Sequence, residues 1–567
     1  MIRNATRLCA LTVVLALIAP PATAQDPAFG FVDASDEAGL DFEYFNGAGG
    51  ERYMHETMGS GLGLVDLDGD GWLDAYFAQG APTPGSPVPA TPPRNTLLRG
   101  APGGRFTRTP AHAGVGSERY TDGIAIGDYD NDGLADLFVA NFGANELYRN
   151  NGDGTFTEIG AALGLDDEQW AFSAAWGDLD NDGDLDLYVV NYVDFAFDNH
   201  KFCGSPQRGV RAYCHPDVYN AQPDRLYRNE GDGSFTEIGE LAGIADTIDG
   251  KGLGVMFADY DDDGDTDIYV ANDSTRNFLY ANQGDGTFFE DGLLAGVGFN
   301  EDGQAEAGMG VDWGDYDRDG DLDVVVTNLD LETNSLYENL GDGGFADVSF
   351  AAGIGEPSLL DVGFGIHWFD PDNDADLDLF VTNGHIIDNI TEFRDNLTFA
   401  QRNHLFLNDG DGALTERSLD LGPGMQLIKV GRGSAIGDVD HDGDLDVMIT
   451  NNVDRADYLR NEGGATAGSW IQLRLIGVQA NRTAAGARVT VRTETDPPQI
   501  REVVAGSSYC SVSDPRLHVG LGAAAQADIE IRWPGGAVER IEGLASGRLY
   551  LVREGAGVVA SRGPLGR

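Results

Sequence analysis

Short apolar runs recur along the chain in a fixed order. A first run ends on an aspartate, as in GIAIGD (Gly123 to Asp128) and GVDWGD (Gly310 to Asp315). A second begins on an aspartate and ends on an asparagine: DLFVAN (Asp136 to Asn141), DLYVVN (Asp186 to Asn191), DIYVAN (Asp267 to Asn272) and DVVVTN (Asp323 to Asn328). Two more runs then flank a Gly-Asp-Gly turn, in NELYRNNGDGTF (Asn145 to Phe156), DRLYRNEGDGSF (Asp224 to Phe235), NFLYANQGDGTF (Asn277 to Phe288) and NSLYENLGDGGF (Asn334 to Phe345), with NHLFLNDGDGAL (Asn403 to Leu414) as a weaker copy. The β-branched and aromatic content predicts strands. Gly-Asp-Gly supplies the positive φ that a tight hairpin needs. An F-x-E/D…A-G phrase closes each unit, as from Phe235 to Ile244 and from Phe288 to Val297.

Each unit therefore predicts four strands, and seven such units predict an all-β, seven-bladed β-propeller. The last unit ends at DYLRNEGG (Asp457 to Gly464) without its closing arm. That arm stands instead near the start of the chain, as FVDASDEAGL (Phe31 to Leu40). The early segment is thus expected to supply the outer strand of the last blade, a closure that leaves no open sheet edge.

Between the first and second strand of every unit lies an acidic nonapeptide, D-x-D-x-D-G-x-x-D. The copies are DLDGDGWLD (Asp66, Asp68, Asp70, Asp74), DYDNDGLAD (Asp128, Asp130, Asp132, Asp136), DLDNDGDLD (Asp178, Asp180, Asp182, Asp186), DYDDDGDTD (Asp259, Asp261, Asp263, Asp267), DYDRDGDLD (Asp315, Asp317, Asp319, Asp323), DPDNDADLD (Asp370, Asp372, Asp374, Asp378) and DVDHDGDLD (Asp438, Asp440, Asp442, Asp446). Carboxylates at positions 1, 3, 5 and 9 are an all-oxygen set suited to Ca²⁺, with a backbone carbonyl expected from position 7. Glycine at position 6 permits the sharp turn; the sixth loop carries Ala375 there. Flanking strands and the lack of a glutamate at position 12 exclude a helix-loop-helix calcium hand. The expectation is about seven structural Ca²⁺ ions. A catalytic metal needs an open coordination position beside a base, and the pattern supplies neither.

Topology sorts the loops. The acidic loops and the Gly-Asp-Gly hairpins share one pole. Three long insertions fall between second and third strands and gather on the other: a Pro-rich stretch around Pro82 to Pro93, the segment Tyr192 to Pro223, and His385 to Arg402. Long loops on a rigid scaffold usually carry function. The asparagines that end the second strands are read as turn residues.

The net charge of −58 makes nucleic acid and anionic membranes poor partners. With 41% hydrophobic residues in strand-like runs, disorder is excluded. Arg3 and Arg7, an apolar run from Leu8 to Ala19, and Ala22-Thr23-Ala24 have the form of a cleaved signal peptide over residues 1–24. The expected location is secreted, periplasmic or cell-surface, with no transmembrane segment. Cys9 would leave with the leader. Cys203 and Cys214 are expected to form a disulfide in that oxidising setting, leaving Cys510 as a buried thiol.

The repeats span residues 25–466. Beyond them WIQLRLIG (Trp470 to Gly477), ARVTVRT (Ala487 to Thr493) and ADIEIRW (Ala527 to Trp533) predict a small all-β domain over 467–555, followed by a tail at 556–567. The acidic loops resemble the FG-GAP or VCBS repeats of integrin α-subunit propellers. NRTAAGA (Asn481 to Ala487), GSSYCS (Gly506 to Ser511), HVGLG (His518 to Gly522) and WPGG (Trp533 to Gly536) resemble the ASPIC/UnbV domain of the cartilage acidic protein family, with Val519 where that family's phrase has Phe. The Cys203/Cys214 insertion resembles the same family. The resemblance implies a secreted calcium-binding protein and no known reaction. Asn481, Arg482, Tyr509 and His518 form a candidate ligand patch, set against turn and core roles for the same residues.

The functional expectation is a non-enzymatic binding or adhesion module for an extracellular protein or glycan, acting through the insertion-bearing pole. The alternative is an enzyme or accessory subunit acting on an extracellular polymer or in secondary metabolism. Neither H-E-x-x-H nor G-x-S-x-G occurs in the sequence.

Overall fold

The computed structural model describes residues 29–244, 249–341, 343–506 and 508–564. The expected leader lies outside them. The recurring runs form seven four-stranded antiparallel sheets among the described residues. In the second sheet, Thr121–Gly127, Asp136–Asn141, Glu146–Asn150 and Phe156–Glu158 pair in that order. The first strand of each sheet touches the first strand of the next, from Leu62–Val65 round to Gly431–Gly437 and back to Leu62–Val65. The architecture is all-β, a closed ring of blade-like sheets.

Six of these innermost strands are buried at every residue, as in Thr121–Gly127, Ala171–Gly177 and Gly252–Ala258, and in the seventh only Ile436 is partly exposed. Buried on both faces, they read mainly as apolar and small residues, with Asp122, Asp312, His367 and Arg432 as buried polar exceptions. Glycine sets how closely they approach. A Cβ on Gly123, Gly254 or Gly310 would lie 2.0–2.3 Å from a backbone oxygen of the next sheet. Outward, Trp176, Trp313 and Trp368 fill the wedges between neighbouring sheets.

Closure follows the expected route. Gly30–Asp33 pairs antiparallel with Asp457–Glu462, Phe31 opposite Asn461, and so forms the outer strand of the seventh sheet.

Beyond the ring, two further four-stranded sheets share one apolar core that includes Ile471, Leu473, Val489, Val519, Ile531 and Trp533. Ser469–Ile476 and Arg548–Arg553 pair parallel. The stretch expected as a tail is corrected here: Gly557–Arg562 is an edge strand paired with Arg548–Arg553.

The segment joining Gln499–Glu502 to Leu517–Gly522 leaves this sandwich and enters the centre of the ring. Leu64 N donates to Val512 O (2.9 Å), Ile124 N to Cys510 O (3.1 Å), and Trp176 N to Ala505 O (3.2 Å). Ser508 N donates to Val311 O (3.0 Å), Ile366 N to Ser508 Oγ (2.6 Å), and Asp514 N to Ile436 O (3.1 Å). A ring of innermost strands leaves a row of backbone groups facing its axis, where each buried group requires a partner. The inserted segment supplies them on six sheets, and Val504 packs against the apolar cluster of the fourth.

Candidate metal centres

Each acidic loop is a series of short aspartate turns. Position 1 accepts the position 6 N–H, as in Asp128 Oδ2 from Gly133 (2.8 Å) and Asp370 Oδ2 from Ala375 (3.0 Å). Position 3 accepts from position 5, Asp68 Oδ1 from Asp70 N at 3.2 Å. Position 5 accepts from position 7, Asp182 Oδ1 from Asp184 N at 2.9 Å. Two left-handed residues make the winding possible, at position 4 (Asn131, Asn181, Asp262, Arg318, Asn373, His441) and position 6. Ala375, at φ +88°, adopts the turn that glycine adopts in the other loops, so the sixth loop has the same shape.

The turns draw three carboxylate oxygens to within 4.8 Å of one another in the groups Asp66/Asp68/Asp70, Asp128/Asp130/Asp136, Asp178/Asp180/Asp182, Asp259/Asp261/Asp263 and Asp315/Asp317/Asp323. Buried oxygens of position 1 are left without hydrogen-bond partners: Asp66 Oδ1, Asp128 Oδ1, Asp178 Oδ1 and Asp315 Oδ2. Burial, with neighbouring loop carboxylates adding to it, raises Asp128 to about 6, Asp136 to about 8 and Asp323 to about 9. Converging, buried, unpartnered carboxylate oxygens fit a hard divalent cation such as Ca²⁺, which would offset the repulsion that otherwise holds protons on the loop. The residues that would hold it are those at positions 1, 3 and 5, joined by Asp136 and Asp323 at position 9.

Position 9 has a second task absent from the sequence reading. It accepts from two backbone groups, as Asp186 does from Asn229 N (2.8 Å) and Leu179 N (3.1 Å). Asp74, Asp267, Asp378 and Asp446 likewise accept a backbone N–H from the third strand of their own sheet. An asparagine at or next to the end of the third strand then donates to the position 2 carbonyl of the preceding acidic loop: Asn150 to Leu67, Asn229 to Tyr129, Asn282 to Leu179, Asn339 to Tyr260, Asn408 to Tyr316 and Asn461 to Pro371, at 2.7–2.9 Å. The signal was the recurring Asn before Gly-Asp-Gly. The asparagines that end the second strands do serve turns, as Asn141 does by donating to Ala144 O and Asn451 to Arg455 O.

The C-terminal sandwich sits on the acidic-loop pole. Arg474 lies 3.7 Å from Asp66, Arg482 N donates to Asn131 Oδ1 (2.8 Å), and Asn481 Nδ2 to Asp178 Oδ2 (3.5 Å). Arg488 and Arg532 clasp Asp262 at 2.9 and 2.7 Å. His518 Nε2 meets Asn373 Oδ1 (2.6 Å), and Gln472 Nε2 donates to Asp438 Oδ2 (2.9 Å).

This corrects the candidate ligand patch. Asn481 and Tyr509 have no exposed surface and His518 is buried. Tyr509 lies on the ring axis, its hydroxyl donating to Met58 O (3.0 Å). The other three address different acidic loops. They anchor the sandwich; Arg482 also lines one cavity and His518 another.

On the opposite pole the insertions are tied together. Cys203 and Cys214 are disulfide-bonded and Cys510 is a free, buried thiol. Arg52 makes a two-pronged ion pair with Asp388 (2.8 and 3.1 Å). Arg208 Nη1 donates to Glu392 O (3.1 Å), Tyr213 to Glu56 Oε2 (3.1 Å), and Thr83 Oγ1 to Gly47 O (2.7 Å). Phe202, Phe197 and Phe393 remain exposed on this platform.

Two family models match the chain. The FG-GAP-like repeat matches residues 66–139, 128–189, 214–270, 259–326 and 315–381, and the ASPIC and UnbV model matches 477–559. Cartilage acidic protein 1 of Homo sapiens is 28% identical over 349 residues, covering 59% of this chain and 49% of its own length. The Mus musculus protein is 28% identical over 328 residues, covering 57% and 47%. The chain spans about half the length of these relatives. A Burkholderia pseudomallei lectin structure aligns at a TM-score of 0.43 and 12% identity, over 72% of this chain and 97% of its own. No helix among the described residues is long and apolar enough to cross a membrane.

Proposed function

The chain belongs to the FG-GAP-like repeat family and carries an ASPIC and UnbV domain, and from that premise we propose that it is a secreted, calcium-stabilised binding module without catalytic activity. Calcium at the acidic loops stiffens the ring. An extracellular protein or glycan binds the opposite pole.

One observation carries this reading. The C-terminal sandwich covers the acidic-loop pole and residues 503–506 and 508–516 lie along the axis, so of the ring's two poles the insertion-bearing one is left open. Its exposed phenylalanines sit among charged side chains, Arg211 lying over the Phe202 ring at 5.5 Å. Exposed aromatics on a braced surface are the usual anchors of interfaces. The Cys203–Cys214 bond supports an oxidising compartment.

The test compares the calcium-loaded chain with its Phe202→Ala/Phe393→Ala variant on a glycan array and in pull-downs from extracellular fluid. A ligand retained by the first and lost by the second supports the platform. Equal retention by both refutes it, and turnover of a polymer by the purified chain would replace binding with catalysis.

A further inference from the structure

A cavity of about 450 Å³ lies between the C-terminal sandwich and the first two sheets of the ring. Its apolar walls include Val65, Ile126, Val512, Leu475, Leu549 and Leu551. Four arginines line it: Arg474, Arg482, Arg516 and Arg562. The chain has 36 Lys and Arg against 94 Asp and Glu, so four guanidiniums around one cavity are a marked concentration.

Arg516 is the pivotal residue. Its side chain is 7% exposed, and its Nε is held by Asp514 Oδ2 at 2.6 Å. Its buried Nη2 has no hydrogen-bond partner among the described residues. A buried guanidinium donor left unmatched is costly unless an acceptor arrives. Arg562 is half-buried and donates to Gly71 O (3.2 Å). Burial pulls its pKa down and the nearby Arg516 adds to the effect, while the Asp66 and Asp438 carboxylates oppose it.

We propose that this cavity binds a small organic anion, a carboxylate with an apolar body, its head on Arg516 and Arg562 and its tail on the apolar walls. The volume is in the range of small-molecule sites. Guanidinium favours carboxylate over neutral groups through paired, charge-assisted bonds. Asp514 lines the cavity too, paired with Arg516, and so do Asp66, Asp70 and Asp128. These last three would oppose an anion unless cations occupy the first and second loops, so the proposed preference rests on the calcium reading.

The test is calorimetric titration of the full chain with octanoate, octanol and octylammonium in saturating calcium. Octanoate is expected to bind at one site, with octanol and octylammonium at least about tenfold weaker, the scale set by one charged hydrogen bond. Arg516→Gln and Arg562→Gln should each weaken octanoate by about tenfold or more. Arg516→Gln could disturb packing, so Ala560→Trp, at an exposed position on the cavity rim, gives a second block with an unchanged melt. No octanoate binding by the calcium-loaded chain, or binding unaffected by all three variants, overturns the proposal. Octanoate binding that is lost in these variants but equal in calcium and in EDTA sustains the cavity and removes only its link to calcium.

Discussion

The side-chain amide of Asn339 donates to the backbone carbonyl of Tyr260, 79 residues earlier, at 2.9 Å. Asn339 ends the third strand of the fifth sheet; Tyr260 is position 2 of the fourth acidic loop. The same amide reaches Leu322 O (3.2 Å), its Oδ1 accepts from Gly341 N (3.1 Å), and its backbone N–H reaches Asp323 Oδ1 (2.8 Å). One residue thus joins two sheets, two acidic loops and a hairpin. Six sheets repeat the device. In the first sheet Gly100 takes the place of Asn and keeps only the bond to Asp74.

Asn339→Ala is expected to cost about 2–3 kcal/mol, because it leaves two buried carbonyls short of a donor. Denaturant unfolding in calcium measures this. A loss under about 0.5 kcal/mol, the scale of a neutral surface change, would show that the asparagines are incidental.

Asp180→Ala should sharply reduce calcium-induced stabilisation, since Asp180 belongs to the Asp178/Asp180/Asp182 group. Asp184→Ala should change it little: Asp184 stands at position 7 and accepts from Asn131 of the neighbouring loop at 2.8 Å. Calcium titrations followed by thermal melting compare the two, and equal effects would mean the ligand positions are misassigned.

Gly264 at position 6 has φ +98° and nothing within 4 Å of where a Cβ would lie. Gly264→Ala therefore reports backbone strain alone and should cost about 1–2 kcal/mol. Ala375→Gly should leave the protein at least as stable as the natural chain, because Ala375 already holds a left-handed turn. A lower melting temperature for Ala375→Gly contradicts this account of the sixth loop.

In EDTA, stability should fall as pH rises. Asp128, Asp136 and Asp323 are raised from 3.8 to about 6, 8 and 9 by burial. A carboxyl raised in the fold binds its proton more tightly there than in the unfolded chain. That contribution is complete below about pH 4 and is lost progressively up to about pH 9. Calcium should stabilise more at pH 8 than at pH 5. Chelated protein that grows more stable between pH 5 and pH 8 would reverse the sign.

The ring was legible because its period is printed in the chain. Strand runs, aspartate loops and Gly-Asp-Gly turns recur, and FVDASDEAGL announces the closure that Phe31 and Asn461 complete. The acidic loops were legible as candidate metal centres for the same reason. The docking of the C-terminal sandwich was not. GSSYCS has the look of a site loop, yet Tyr509 and Cys510 face the ring axis because inward-facing backbone groups there need partners. Arg488 and Arg532 gave no local sign of meeting Asp262, an ion pair set by contacts more than two hundred residues apart in sequence. The four arginines around the cavity come from separate strands and turns, and only folding brings them together.

The central claim is that the acidic loops hold calcium and that calcium holds the ring. The most direct measurement is the melting temperature of the full chain in saturating Ca²⁺ and in excess EDTA, with bound metal counted on the same samples. The account predicts about seven ions per chain and a melt lowered by many degrees on chelation, since metal bound only by the folded loops adds its binding free energy to stability. A melt unchanged in EDTA, or a preparation that binds no calcium, contradicts it.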